Sequence, residues 1–167
     1  MLGRKELLGL LEQNGVLFAC EQHEQVLNIA ESGELRLSLE GARCKNLLLQ
    51  DKQGQHYLVV TTADKSLDLS AVAKTLSSKR LSLASADQMF MLLGVRPGSL
   101  SPLALVNDIS GKVRLVVDED LARESTLLLH PLESTASVAL SRHDLEGFLC
   151  SIGHPPAWAV LKERTCA

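Results

Sequence analysis

A chain of 167 residues with 46 % apolar and 22 % charged residues is long enough to bury its own core and has the composition of an ordinary globular domain. A formal net charge of −3 excludes a protein that coats nucleic acid indiscriminately, yet leaves room for a local basic patch that grips one end of an RNA. The longest apolar runs fall far short of a membrane span, and Cys20, Cys44, Cys150 and Cys166 show neither CxxC nor metal-ligand spacing. With no signal-peptide pattern, these features predict a cytoplasmic protein without disulfides: one domain over residues 1–161 and a loose tail over 162–167.

Leucines at 7, 8, 10 and 11 form a helical stripe that Asn14-Gly15 stops, and Val16–Cys20 reads as a short strand. His23–Glu40 supports both a strand, through the alternation Leu35, Leu37, Leu39, and a short helix. Lys45–Gln50 and Gln55–Thr62 predict a hairpin across Asp51-Lys52-Gln53-Gly54. Asp68-Leu69-Ser70 caps a helix over 71–77, Leu81–Ala84 is a strand, and Ser85-Ala86-Asp87-Gln88 is a capping box for a helix ending at Gly94. Leu103–Val106 and Lys112–Val117 predict a second hairpin across Ser110-Gly111, followed by a helical turn over 119–123. Strands over 127–130, 137–139 and 157–161 complete the chain, with a helix from Ser141 to Ile152 stopped by Gly153. The pattern is mixed α/β: a mostly antiparallel central sheet with helices packed around it.

The stretch Leu92–Asp108 stands out. Gly98 permits positive φ and close approach of a ligand, while Pro102 fixes φ and removes a donor. Such a loop displays backbone N–H and C=O groups in a rigid array, although a plain helix-to-strand connector would look similar. Lys45 stands at the start of its strand, where an ammonium could enter a pocket or simply be solvated. His130-Pro131 ends a strand, and Asn107-Asp108 serves equally as turn residues. Lys79-Arg80 is a basic pair at a helix end, able to touch phosphates or to complement the helix dipole. The chain has no G-x-S-x-G elbow, P-loop, G-x-G-x-x-G or zinc-protease motif, so no metal or cofactor is expected.

In order, KNLLLQD (45–51), DL (68–69), RLSLAS (80–85), LGVRPGSLSP (93–102), LVND (105–108), HPLESTASVALS (130–141) and GHPPAW (153–158) resemble the YbaK/ProX family of free-standing editing domains. These are related to the insertion domain of bacterial prolyl-tRNA synthetase, and the pattern is closer to the alanyl-tRNA(Pro) than to the cysteinyl-tRNA(Pro) deacylase branch. The resemblance covers nearly the whole chain. It implies a barrel-like central sheet and hydrolysis of the ester joining a wrong amino acid to the 3′ adenosine of tRNA(Pro). Lys45 matches the family's active-site lysine, Gly98 and Pro102 its G-x-x-x-P loop, and His130 the histidine of its His-Pro motif. Asn46, beside the lysine, Ser99, Leu100 and Ser101 within the loop, and the strand-end pair Asn107-Asp108 are implied to bind substrate. Lys79 and Arg80 lie where the family would meet the acceptor stem.

The implied partners are the acceptor end of tRNA(Pro) and, optionally, prolyl-tRNA synthetase; no DNA or membrane is implied, and a monomer is the default. The mechanism implied is substrate-assisted: an oriented water, a stabilised oxyanion and the substrate's own ribose 2′-OH. Two departures bear on specificity. His23-Glu24-Gln25-Val26-Leu27-Asn28 replaces the family's His-Pro-Pro-Val-Phe-Thr run, and the asparagine and following threonines of its His-Pro segment are partly replaced, by Ser134 and Ser137. Alanine is the expected residue removed, with serine or cysteine as alternatives. A non-catalytic tRNA-binding module on the same fold is the competing class, though 3 % aromatic residues argues against extensive base stacking.

Overall fold

The computed structural model describes residues 1–23 and 39–165. All of the ambiguous stretch His23–Glu40 except residues 23, 39 and 40 lies outside them.

The sheet is built around the hairpin that the sequence predicts. Strands β2 (Ala42–Gln50) and β3 (His56–Thr62) pair antiparallel from Cys44↔Thr62 to Gln50↔His56. The Asp51 carboxylate closes the turn by accepting from the Gln53 and Gln55 N–H groups at 2.9 Å each. Strand β1 (Phe18–Gln22), β4 (Ser82–Leu83), β5 (Val113–Asp118), β6 (Thr126–Leu129), β7 (Ala136–Ser141) and β8 (Ala157–Ala159) complete it. The order is β1-β7-β6-β2-β3-β5-β8, with β4 also pairing β2. Pairs β1/β7, β7/β6, β2/β3 and β2/β4 are antiparallel, whereas β6/β2, β3/β5 and β5/β8 are parallel. The mixed sheet with an antiparallel majority is thus as expected, and its described pairings trace an open path from β1 to β8.

Alternation along each strand sends residues to two layers. Leu48, Leu58, Val60, Leu115, Leu127, Leu129, Val138 and Leu140 enter the main core. There they meet helix α1 (Arg4–Gln13) through Leu7 and Leu11, and the last helix, α4 (Arg142–Ser151), through Leu145, Phe148 and Leu149. The opposite face carries Leu49, Tyr57, Val59 and Val116, covered by Val72 and Ala73 of helix α2 (Leu69–Thr75) together with Leu67, Leu81 and Leu161. Caps stand where the sequence puts them. Asp68 accepts from Ala71 N, Ser141 accepts from Asp144 N, and Ser85 and Gln88 form a reciprocal box at the start of α3 (Ala86–Leu93). Gly94, at φ +69°, ends α3.

Three expectations are corrected. Leu103–Val106 is not a strand of a second hairpin: Pro102–Asn107 is a buried 3-10 turn. Ser101 caps it by accepting from Leu103 N, and Pro102 supplies the helical φ at its first position. The four apolar residues that follow are ambiguous by periodicity, so the cap decides. β5 consequently pairs in parallel with β3 instead of folding back on 103–106. Lys45 is not at the strand's mouth, since β2 begins at Ala42. Nor is Lys162–Thr165 a loose tail: Asp68 N donates to Lys162 O, Leu67 bridges Glu163, and Arg164 N donates to Ser66 O at 2.7 Å.

Asn107 is the fastener of the turn. Its Oδ1 accepts from Leu2 N at 2.7 Å and its Nδ2 donates to Leu93 O at 2.9 Å, tying the N-terminus and the end of α3 together. Asn107→Ala leaves these groups unpaired, so urea unfolding should show a stability loss of about 1–3 kcal/mol with an unchanged m-value. A loss of only a few tenths would assign the fastening to packing alone.

Candidate active site

Where the outer face of the sheet runs beyond the cover of α2, its residues become polar. Lys45, on β2, has the parity of Leu47 and Leu49 and so stands on this face, opposite Thr61 of β3. The parallel register of β2 with β6 is Ala42↔Leu127 and Arg43↔Leu128, and continuing it carries Lys45 level with His130, just past the end of β6. Ser137 of β7 and His23, just past β1, share the same parity, because Val138 and Leu140 point into the main core. His23, Ser137 and His130, separated by up to 114 positions, thereby meet on one face, and Lys45 has the parity of that face. His23 Nε2 and Ser137 Oγ share a hydrogen bond of 2.8 Å, and the rings of His23 and His130 meet edge to face with centroids 6.2 Å apart.

The loop expected from sequence is attached to this surface. Ser99 N donates to Arg96 O at 3.0 Å, with Pro97 at the second position and Gly98 at φ +92° in the third, the arrangement of a type II turn. Only a residue without Cβ adopts that φ without strain. Fully buried Ser101 then donates from Oγ to His130 O at 2.7 Å while accepting from Leu103 N. One hydroxyl locks the turn to the end of β6. Leu100 between them is buried in the main core, which pulls the turn inward.

His130 faces an acceptor with no proton to give. Its Nδ1 must therefore donate to Ala136 O, at 3.0 Å, and the neutral ring keeps Nε2 as an acceptor. Burial lowers its pKa below the ordinary 6.5, and the neighbouring His23 acts in the same direction; the Ala136 hydrogen bond opposes them and loses. Cys44 points to the main-core side, where burial first, and then the charge of Glu124, push its thiol up to about 12; it offers no thiolate near neutrality.

A family model for the aminoacyl-tRNA editing domain matches residues 23–148. The chain belongs to that family. The prolyl-tRNA editing protein ProX of Acetoanaerobium sticklandii is 31 % identical over 155 residues, covering 92 % of this chain and 94 % of its own. The multifunctional Ser/Thr-tRNA deacylase ProXp-y of Escherichia coli K12 is 32 % identical over 117 residues, 68 % of each chain. A crystal structure described as a candidate trans-editing enzyme for prolyl tRNA synthetase shares the fold with a TM-score of 0.73 at 20 % identity, covering 96 % of this chain and 97 % of that one.

Within this editing-domain fold, the site residues named from sequence divide into groups. Ser101 ties the 98–102 turn to His130, and Lys45 shares the face of His130 by strand parity. Asn46 has the opposite parity to Lys45, and its Oδ1 is buried without a partner among the described residues. Asn107 and Asp108 do not join the site. Asn107 is spent on Leu2 and Leu93, and the Asp108 carboxylate accepts from Lys112 and Val113 N–H at 3.0 and 2.8 Å. Asp108 O further accepts from buried His154 Nε2 at 3.0 Å. Their role is to shape the turn into β5. Lys79 and Arg80 are exposed beyond Leu76, the C-cap of α2, so the helix dipole does not account for them.

Sequence reasoning missed the group behind Lys45. Its Nζ donates to Lys65 O at 2.6 Å, and the Lys65 side chain is bound to Asp118 and Asp120. No spacing signature links positions 45, 65 and 118. Asp118 also caps the helical turn after β5, accepting from Asp120 N.

The His130 tautomer generates a titration test. A depressed folded-state pKa gives a stability contribution that is complete above the unfolded value near 6.5 and is lost as pH falls through the folded value. Denaturation of wild type and His130→Asn across the acid range should show this loss in the wild type and its absence in the variant. NMR should find His130 titrating below an ordinary histidine, with the neutral ring carrying its proton on Nδ1. A wild-type curve that parallels the variant's throughout would overturn the assignment.

Proposed function

We propose that this chain is a trans-acting aminoacyl-tRNA deacylase that hydrolyses the ester of mischarged tRNA(Pro), with alanine as the principal residue removed. The observation that carries the reading is that Lys45 and neutral His130 share one face of the sheet by strand parity, with the glycine–proline turn tied to His130 by Ser101. Family membership and the names of the relatives support the same class of reaction.

An aminoacyl ester is already activated, so its hydrolysis demands orientation and charge stabilisation more than a strong nucleophile. In this reading the Lys45 ammonium holds the substrate and stabilises charge developing on the carbonyl oxygen. Backbone groups of the 96–102 turn contact the aminoacyl group or the terminal ribose. His130 Nε2 accepts a hydrogen bond from the attacking water or the ribose 2′-OH. Lys79 and Arg80 take the phosphates of the acceptor stem. Selection of alanine rests on excluding larger residues, because one methylene in an apolar pocket discriminates by only about 1–3 kcal/mol.

One distance favours a second route. Ser137 Oγ lies 2.8 Å from His23 Nε2, the separation of a nucleophile from its base. A tRNA ending in 2′-deoxyadenosine separates the two: the substrate-assisted route loses its hydroxyl and stalls, whereas a Ser137 route continues and is abolished by Ser137→Ala.

The primary test is deacylation of tRNA(Pro) charged in turn with alanine, serine, cysteine and proline. Alanine should be released fastest and proline spared, and Lys45→Ala should lower the alanine rate by about 100-fold or more, the scale of losing one oxyanion-stabilising group. Preferential release of serine or cysteine would keep the class and move the specificity; no release from any of the four would sink the enzyme reading. Separately, Lys79→Ala and Arg80→Ala should each weaken binding of uncharged tRNA(Pro) and reduce the slope of log affinity against log salt by about one or less. An unchanged slope in both places the acceptor stem elsewhere.

A further inference from the structure

Lys45 does not simply project from β2. Its Nζ donates to the backbone carbonyl of Lys65 at 2.6 Å, the acceptor it has among the described residues. An ammonium has three N–H groups, so one is used as an anchor and two remain for other acceptors. The anchor is itself held. Lys65 sits in the turn after β3, where its N–H donates to Thr62 O. Its side chain, 12 % exposed, turns inward to donate to Asp118 Oδ2 at 2.8 Å, Asp120 Oδ2 at 2.7 Å and Leu161 O at 3.1 Å. Asp118, 1 % exposed, also accepts from Thr61 Oγ1 at 2.6 Å, and Thr61 is the cross-strand partner of Lys45. The circuit therefore starts and ends at position 45. On its outer side, the turn is clamped by the C-terminal segment through Ser66 O, Leu67 and Asp68 N.

Burial opposes the charge on Lys65, but the hydrogen bonds and charges of Asp118 and Asp120 outweigh it and raise its pKa above the ordinary lysine value. A buried ion pair is a poor way to gain stability, because desolvation consumes most of the attraction. What it does supply is a defined position for the backbone that carries it.

We propose that Lys65, tethered by Asp118, Asp120 and the Leu161 carbonyl, is a positioning residue whose backbone carbonyl aims the Lys45 ammonium at the substrate. The role of Lys45 in deacylation rests on the function proposed above; its anchoring by Lys65 does not. Lys65→Met keeps the aliphatic stem and removes the tether, freeing the turn and its carbonyl.

Two readouts on full-length protein test this. The first is kcat/KM for alanyl-tRNA(Pro) in wild type, Lys65→Met and Lys65→Arg. The second is the rate at which an amine-acetylating reagent modifies Lys45, followed by mass spectrometry, with exposed Lys5 as internal reference. The expected results are a fall in kcat/KM of about tenfold for Lys65→Met, the size of coupling between groups in contact, substantial rescue by Lys65→Arg, and faster acetylation of Lys45 alone. Unchanged acetylation of Lys45 in a folded Lys65→Met protein overturns the proposal, as does activity within about twofold of wild type, the additive limit for uncoupled sites. Should Lys65→Met fail to fold, Lys65→Gln, which has no charge to pair with Asp118 and Asp120, takes its place under the same criteria. A wild type that releases no amino acid removes the functional reading, yet the acetylation rates still decide whether Lys65 holds Lys45.

Discussion

Strand β2 has two layers to satisfy at once, and this constraint organises the molecule. It pairs with β3, β4 and β6, so no other strand in the described sheet has as many neighbours. Its period-two alternation delivers Leu48 to the main core and Leu47 and Leu49 to the second layer. Lys45 shares the second layer's parity, two residues before Leu47. A charged side chain is tolerated there because the cover of α2 has ended and a carbonyl is waiting at Lys65. A slip of one residue in the β2/β3 register would turn Leu48 out of the core and Lys45 into it, so the pairing that builds the core also orients the amine.

The polar face follows the same logic of satisfied partners. Ser101 uses both functions of its hydroxyl, accepting from Leu103 N and donating to His130 O. His130 is set in one tautomer by the carbonyl of Ala136. Lys45 gives one hydrogen to Lys65. Each of these side chains is fixed by a backbone partner, and the imidazole and the ammonium each keep a function that this partner does not use. Preorganised polar groups of this kind stabilise developing charge without having to reorganise during reaction, which suits an ester that needs orientation more than attack. The thiol of Cys44 faces away and stays protonated, so covalent chemistry through sulfur finds no support on this surface.

The residue types of the site were legible one at a time. Gly98 and Pro102 predict a special turn from their φ restrictions alone, and the turn forms with Gly98 at +92°. The β2/β3 hairpin and the helix starts at Asp68, Ser85 and Ser141 were equally readable, because each is decided by atoms within a few residues. The reading failed where two local signals conflicted. Leu103–Val106 is apolar enough for a strand, but a capping serine followed by proline begins a helical turn. Asn107 and Asp108 look like ligands in a motif, yet their side chains are consumed by backbone groups, one of them 105 residues away in sequence.

From the sequence alone came the family, the mixed α/β class and the identities of the lysine, the histidine and the glycine–proline turn, because short-range sterics and an ordered set of motifs carry that information. Only the tertiary structure decided which of them share a surface. Lys45, Lys65 and Asp118 are linked through the register of β2, β3 and β5, and the parallel pairing of β6 with β2 sets His130 on the face of Lys45. Register is a cooperative property of the whole sheet: it is set by which faces are buried against which helices, and no single segment encodes it.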